Sequence, residues 1–232
     1  MLLYYTKFKK IVARQNKVTD IKYYTVNQIL QPDFFYQQDV VNVARQLLGK
    51  VLVTHIDNQL TAGIITETEA YSGCRDRACH ASNGKTNRTS VMYDQGGVAY
   101  VYLCYGIHHL FNIVTNVRNY ADAVLVRALE PLDGVDAMLA RRNKSHPDHT
   151  LTSGPGSLSR AMGINLSHYG AKLYTEENIW IEDRGLTVSL ENIKSTPRIG
   201  VAYAGTDALL PWRLYIDNNK YVSKGKFIQK AD

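Results

Sequence analysis

Apolar positions fall at helical spacing only in short stretches of this chain, and alternate with polar ones in longer stretches. Val41, Ala44, Leu47 and Leu48 form a stripe behind Asp39, with Gly49 after it. This predicts a helix over residues 40–48, capped by Asp39 and stopped by the glycine. Two strand-like runs follow, Val51–His55 and Ala62–Tyr71, with Asp57-Asn58 as their turn. Residues 97–104 and 110–117 flank a turn at Gly106 and predict a hairpin. A further strand fits residues 123–128, and Asp133 is placed to cap a helix over 135–141. Ser153-Gly154-Pro155-Gly156 opens a short helix through Met162, ended by Gly163. Residues 180–222 read as short strands and turns, and no repeat or low-complexity tract is present. Central strands with helices around them, lacking βαβ alternation, predict an α+β fold. The expectation is one domain with a curved, mostly antiparallel sheet, flanking helices and a protruding hairpin. Residues 1–33, with Lys7, Lys9, Lys10, Arg14 and Lys17, read as a basic, Tyr-rich N-terminal extension to a domain over 34–232.

Bulk composition adds three constraints. At 232 residues and 45% hydrophobic, the chain suits one substantial globular domain. No window is long and apolar enough to span a membrane, and Met1–Lys7 lacks a signal-peptide pattern. Cys74, Cys79 and Cys104 make an odd number without a disulfide frame, which points to a reducing compartment, cytoplasm or nucleus. A formal charge of +6 favours an anionic partner.

Candidate chemistry begins in Gly63–Tyr71. Side chains alternate across a strand, so Glu67, Glu69 and Tyr71 share one face. One acid could aim at a bound water as a general base. On this segment alone, an exposed edge strand with solvated acids is the favoured reading. In Ala99–Gly106, Tyr102 and Tyr105 fall on opposite faces, and Tyr105 adjoins the turn. Aromatic faces stack on bases and projecting ones wedge into duplexes, although tyrosine is also an ordinary strand residue. His80 follows Cys74 and Cys79 at a spacing unlike a usual zinc pair, which favours a stacking or hydrogen-bonding loop histidine over a metal ligand. No Gly-x-Ser-x-Gly elbow is present, and Gly154-Pro155-Gly156-Ser157 is no phosphate loop, though its helix N-terminus could hold one phosphate. Arg141-Arg142-Asn143-Lys144 fits a solvated helix end that could touch phosphate.

Taken in order, several segments resemble the alkyladenine (3-methyladenine) DNA glycosylase family. They are Glu67-Thr68-Glu69-Ala70-Tyr71, Asp76–Ala81, Tyr100–Gly106, Phe111-Asn112, Val126–Gly134, Ser153–Gly156 and Thr196-Pro197-Arg198-Ile199-Gly200. The resemblance spans roughly residues 34 to 225. It implies Glu69, rather than Glu67, as general base, with Arg127 and the Ile199 carbonyl holding the same water. It implies Tyr71 and His80 on one side of a flipped base, Tyr102 on the other, and Asn112 at the pocket floor against guanine's exocyclic amine. Backbone N–H groups from Ala78 to His80 would read the base edge. Tyr105 would fill the gap left in the duplex, and Lys85, Thr86 and Arg88 would meet phosphate. The implied protein is a monofunctional, monomeric enzyme that flips alkylated or deaminated purines (3-methyladenine, hypoxanthine, ethenoadenine type) from double-stranded DNA. It hydrolyses the N-glycosidic bond, starting base excision repair, with no cofactor, metal or membrane. It would sit in the cytoplasm of a prokaryote or the nucleus of a eukaryote. No lysine falls at a matched pocket position to form a Schiff base. Ile107 and His108 stand where some members carry Met and Tyr, Asn87 where Pro is frequent, and Asp207 near a frequent Trp. A non-catalytic nucleic-acid-binding module of the same fold could keep Tyr105 and dispense with Glu69 and Arg127, yet both are present.

Overall fold

The computed structural model describes residues 28–225; most of the basic extension lies outside them. Nine strands among the described residues form one sheet whose pairings are all antiparallel. They are β1 (Gln28–Ile29), β2 (Val51–Ile56), β3 (Gln59–Tyr71), β4 (Ala99–Cys104), β5 (His108–Thr115), β6 (Asp122–Asp133), β7 (Ile179–Asp183), β8 (Ile193–Thr196) and β9 (Arg213–Ile216). Their order is β1-β7-β2-β3-β6-β5-β4. The long β3 pairs with β6 along one edge, and on the other with β2 for its first half and β9 for part of its second. Four α-helices among the described residues complete an α+β domain: α1 (Pro32–Phe35), α2 (Val40–Gln46), α3 (Val135–Arg142) and α4 (Pro155–Met162).

Local chemistry sets most boundaries where the pattern predicts them. Asp39 caps α2, its Oδ1 accepting from the N–H groups of Val41 and Asn42 at 3.0 Å each. Asp57 and Asn58 both take positive φ, the conformation that matches a tight hairpin to strand twist. Two expectations change. Asp133 does not cap α3: it ends β6 and its carboxylate pairs with Arg184 at 2.7 Å. The N-cap is Gly134 at φ 69°, where a Cβ would lie 2.1 Å from the Leu60 carbonyl oxygen. Residues 28–33 also join the domain, since β1 pairs with β7 and Leu30 is buried in the core. A two-residue strand is too short to show alternation. β6 runs past the predicted end because Pro131, facing Gly63, sits beside a register shift that accommodates it.

The sheet has two covered faces. On one, Val43 and Ala44 of α2 with its C-cap Leu47, Met138 of α3, and Leu158, Ala161 and Met162 of α4 pack with Ile65, Val101, Phe111, Ile113, Val124 and Val126. On the other, the segment between β3 and β4 folds back over Tyr100, Val114 and Ala123, contributing Cys79, Ala81, Val91 and Met92. The candidate site lies on this second face.

Candidate active site

Strand register assembles the site. Glu69 pairs with Leu125, Leu125 with Asn112, and Asn112 with Tyr100, a row crossing β3, β6, β5 and β4. Ile65, however, packs with the helices on the opposite face. Uninterrupted alternation would put Ile65 and Glu67 on the same side. The pairing skips Thr66 on β3 and Arg127 on β6, with register shifts on either side of Glu67. Such bulges re-aim side chains. Here they let an apolar strand start in the helical core and end with acids in the site.

Both acids are fully buried, at 0% exposure, so β3 is no solvated edge at this point. Glu67 accepts from Arg127 Nε (2.9 Å), Arg213 Nε (2.6 Å), and the backbone N–H (2.7 Å) and hydroxyl (2.9 Å) of Ser223. Its oxygens are saturated, which leaves it a structural part. Glu69 accepts from the Ile199 N–H at 2.7 Å and the Tyr71 hydroxyl at 2.8 Å, with Arg127 Nη1 at 3.1 Å. Three donors around one carboxyl group is the pattern of a carboxylate. Two acids and two arginines thus form a compensated buried cluster, as burial of charge demands. Burial works to lower the Arg127 pKa, but Glu69 and Glu67 outweigh it and the net direction is up. Burial, with Glu69 beside it, raises the Tyr71 phenol well above its usual value, so Tyr71 acts as a neutral donor.

A cavity of about 560 Å³ opens in front of this cluster. Tyr71, His80, Arg88, Tyr102, Asn112, Arg127 and Ile199 line it, together with Tyr105 of the β4–β5 turn and Gly154–Ser157 at the start of α4. Glu69 stands one layer back, behind its three partners. Asn112, nearly buried, donates to the Tyr100 carbonyl at 3.1 Å. His80 Nδ1 lies 2.9 Å from the Tyr100 hydroxyl, and its ring meets the edge of Tyr102 at 4.6 Å between centroids. Burial, then the charge of Arg88, lowers the His80 pKa from 6.5 to about 4. This part of the cavity lining therefore carries a neutral imidazole at physiological pH.

Several expected placements differ. Ile199 also meets Glu69 directly through its N–H, a contact additional to the one expected of its carbonyl. The Ala78 N–H is not free for a base edge, because it donates to Asp76 Oδ1 at 2.9 Å; the Cys79 N–H donates to the Asp76 carbonyl. His80 does not stand across an open slot from Tyr102 but touches it. Lys85 lies over the Tyr93 ring and Thr86 bonds Thr89 in a local turn, both exposed, whereas Arg88 folds over Tyr102. Tyr105 is 91% exposed at the hairpin tip between β4 and β5. Among the described residues no group of three His, Cys, Asp or Glu side chains converges as a metal site would require.

Three residues of the site carry no periodic signal. Arg213 and Ser223 come from the tail of short strands, and only the fold brings them to Glu67. Arg198 sits in the segment Thr196–Gly200 without a role suggested by pattern. It is fully buried, pairs both guanidinium ends with Asp76, and lies between Tyr71 (4.7 Å) and Trp212 (5.2 Å). It thereby ties the Tyr71 wall, the Asp76 loop and the Ile199 backbone together.

An antiparallel sheet presenting a buried carboxylate–arginine pair behind an aromatic cavity, beside an exposed tyrosine on a hairpin, is the layout of a base-excising enzyme. Residues 34–220 match the family model of methylpurine-DNA glycosylases. The chain is 45% identical over 194 residues to the candidate 3-methyladenine DNA glycosylase of Chlamydia felis, covering 83% of this chain and 98% of that protein. It is 46% identical over 193 residues to the one from Methanocella arvoryzae, covering 83% and 95%. The chain belongs to the methylpurine-DNA glycosylase family, a family of DNA-repair hydrolases whose substrate is DNA.

Proposed function

We propose that this glycosylase takes a damaged purine, flipped from the duplex, into the cavity and hydrolyses its glycosidic bond with a water activated by Glu69. The observation that carries this reading is the buried Glu69 carboxylate, held by Tyr71, Arg127 and Ile199 directly behind an aromatic-lined cavity. Flipping costs a few kcal/mol, least at a damaged or mismatched pair. Tyr105, exposed at the hairpin tip, fills the vacated stack. Tyr71 and Tyr102 flank the base, and Asn112 narrows the floor against an exocyclic amine. The water reaches Glu69 past Tyr71 and Ile199 on the Arg127 wall. Glu69 takes its proton as the oxygen bonds to C1′ and the base departs, and the carboxylate charge offsets the positive sugar, as in other glycoside hydrolyses. No lysine lines the cavity among the described residues, which supports base release without strand cleavage. Hypoxanthine and ethenoadenine fit the same aromatic slot as 3-methyladenine, and the enzyme works as a monomer.

Duplexes bearing one such lesion test this. After incubation, alkali should cleave at the lesion with wild type but not with Glu69→Gln, and omission of alkali should leave the strand whole. Alkali-independent cleavage would refute the monofunctional reading. Unchanged turnover in the variant would remove Glu69 from the mechanism. The substitution leaves a donor facing a donor, at about 1–3 kcal/mol. Retained binding to lesion DNA is therefore the necessary control.

A further inference from the structure

Arg88 differs from the other exposed cations near the cavity. Its guanidinium carbon lies 4.8 Å from the centroid of the Tyr102 ring, and Nη2 is 3.4 Å from His80 Nε2 and 3.5 Å from Nδ1. No carboxylate pairs with it among the described residues. The ring it covers belongs to the cavity wall. His80 and Tyr102 are 4.6 Å apart and nearly perpendicular at 77°. A flat ring held between two others needs them about 7 Å apart, twice the ~3.5 Å contact distance. His80 and Tyr102 thus touch each other directly, and the stacking surface at issue is the Tyr102 face that the guanidinium covers.

We propose that Arg88 is a plug, occupying the Tyr102 face in the DNA-free protein and leaving it when a DNA phosphate captures the guanidinium. A planar, delocalised cation stacks on a phenol ring much as a purine does. Arg88 projects from an exposed turn that Thr86 and Thr89 close with hydrogen bonds, so its long side chain can swing without unfolding the domain. Stacking leaves the in-plane N–H donors free, so the plug requires a phosphate placed beyond their reach while the guanidinium lies on Tyr102. Engagement of the DNA backbone and opening of the slot are thus thermodynamically linked, and each favours the other. Any base must displace the same plug, so Arg88 sets how readily the slot fills and not which purine fills it. The low proton affinity of His80 has the same origin in part, because Arg88 sits against it.

The plug rests on the base-slot reading of the cavity, and free 3-methyladenine separates the two. Its binding is followed by NMR on the wild type and Arg88→Ala, each alone and with a duplex containing an abasic-site analogue. Arg88→Ala alone should bind the base two- to fivefold more tightly, the factor that ~0.5–1 kcal/mol of exposed cation–π attraction represents. The duplex should tighten base binding to wild type by a similar factor and leave the variant unchanged. Equal affinities in both proteins, or the same response to duplex in both, would overturn the plug while leaving the slot intact. Absence of base binding to either protein would overturn the slot itself, and the plug with it.

Discussion

Glu67 and Glu69 are two residues apart, equally buried and bonded to one arginine, yet their substitutions should separate cleanly. Glu67 compensates Arg127 and Arg213 together and has no oxygen left over. Glu67→Gln should lower unfolding free energy by up to about 3–5 kcal/mol, the cost of breaking a buried pair, as read by urea denaturation. Below its melting temperature that variant should keep much of its excision rate. Glu69→Gln should lose ~10²–10⁴-fold in single-turnover excision, the usual contribution of a general base. Equal losses of rate in the two variants would contradict this division. His80 supplies a pH signature. Arg88, Tyr100 and Tyr102 surround it, and among the described residues no carboxylate faces it. Its pKa is lowered from 6.5 to about 4, so the unfolded chain takes a proton that the folded one refuses. Its contribution to stability is complete above pH 6.5 and fades as pH falls from 6.5 to 4. The His80 ring should titrate near 4 by NMR and move upward in Arg88→Ala.

The hairpin of β4 and β5 shows strain kept at an element's tip. Tyr105 at φ 50° and Gly106 at φ 73° form the centre of a turn closed by the Ile107 N–H donating to the Cys104 carbonyl at 3.1 Å. Positive φ at both central positions favours Asn-Gly; glycine adopts it freely, and tyrosine loses on the order of 1–2 kcal/mol there. Tyr105→Asn should therefore raise the melting temperature, by up to about 1 kcal/mol of stability. It should also reduce excision from duplexes about tenfold or more, since one stacked ring is worth ~1–3 kcal/mol. A variant neither more stable nor less active would remove the tip from function. The hairpin was legible in the sequence, as were the caps at Asp39 and Gly163, because turns and caps depend on a few adjacent residues. The pairing of Glu69 with Tyr71 was legible from alternation. The bulges at Thr66 and Arg127 were not, since a one-residue slip leaves no mark on composition. Arg198, Arg213 and Ser223 reach the site only through tertiary packing, and the position of Arg88 depends on a ring of the following strand, β4, that no local pattern marks.

At the scale of the molecule, the +6 charge gains meaning from where the cations stand. Lys85 and Arg88 lie on the loop flanking the cavity, on the β3–β4 side of the hairpin. A second basin of about 530 Å³ lies across the hairpin tip, lined by Ile107, His108, His109, Arg141, Arg142 and Arg160. Gly156 in α4 lets the His108 ring pack there, because a Cβ would sit 2.8 Å from it. Arg141 and Arg142 are partly committed to carbonyl oxygens, those of Ala161 and Leu151 among them; Arg160 is exposed, donates Nε to the Arg141 carbonyl at 2.8 Å, and has no acidic partner among the described residues. A duplex threaded by Tyr105 would pass between these two flanks. Each phosphate neutralised lowers log affinity by about 0.9 per unit of log salt concentration. These five cations, fully engaged, would contribute about −4.5 to the slope by that rule, and partial engagement of Arg141 and Arg142 makes their share smaller. Arg160→Ala should flatten the measured slope by about 0.9, weaken damaged and undamaged duplexes alike, and leave single-turnover excision unchanged at saturating enzyme. Fluorescence anisotropy across a salt series reads both quantities. A slope identical to wild type would put the second basin off the DNA path and leave the loop cations to hold the backbone alone.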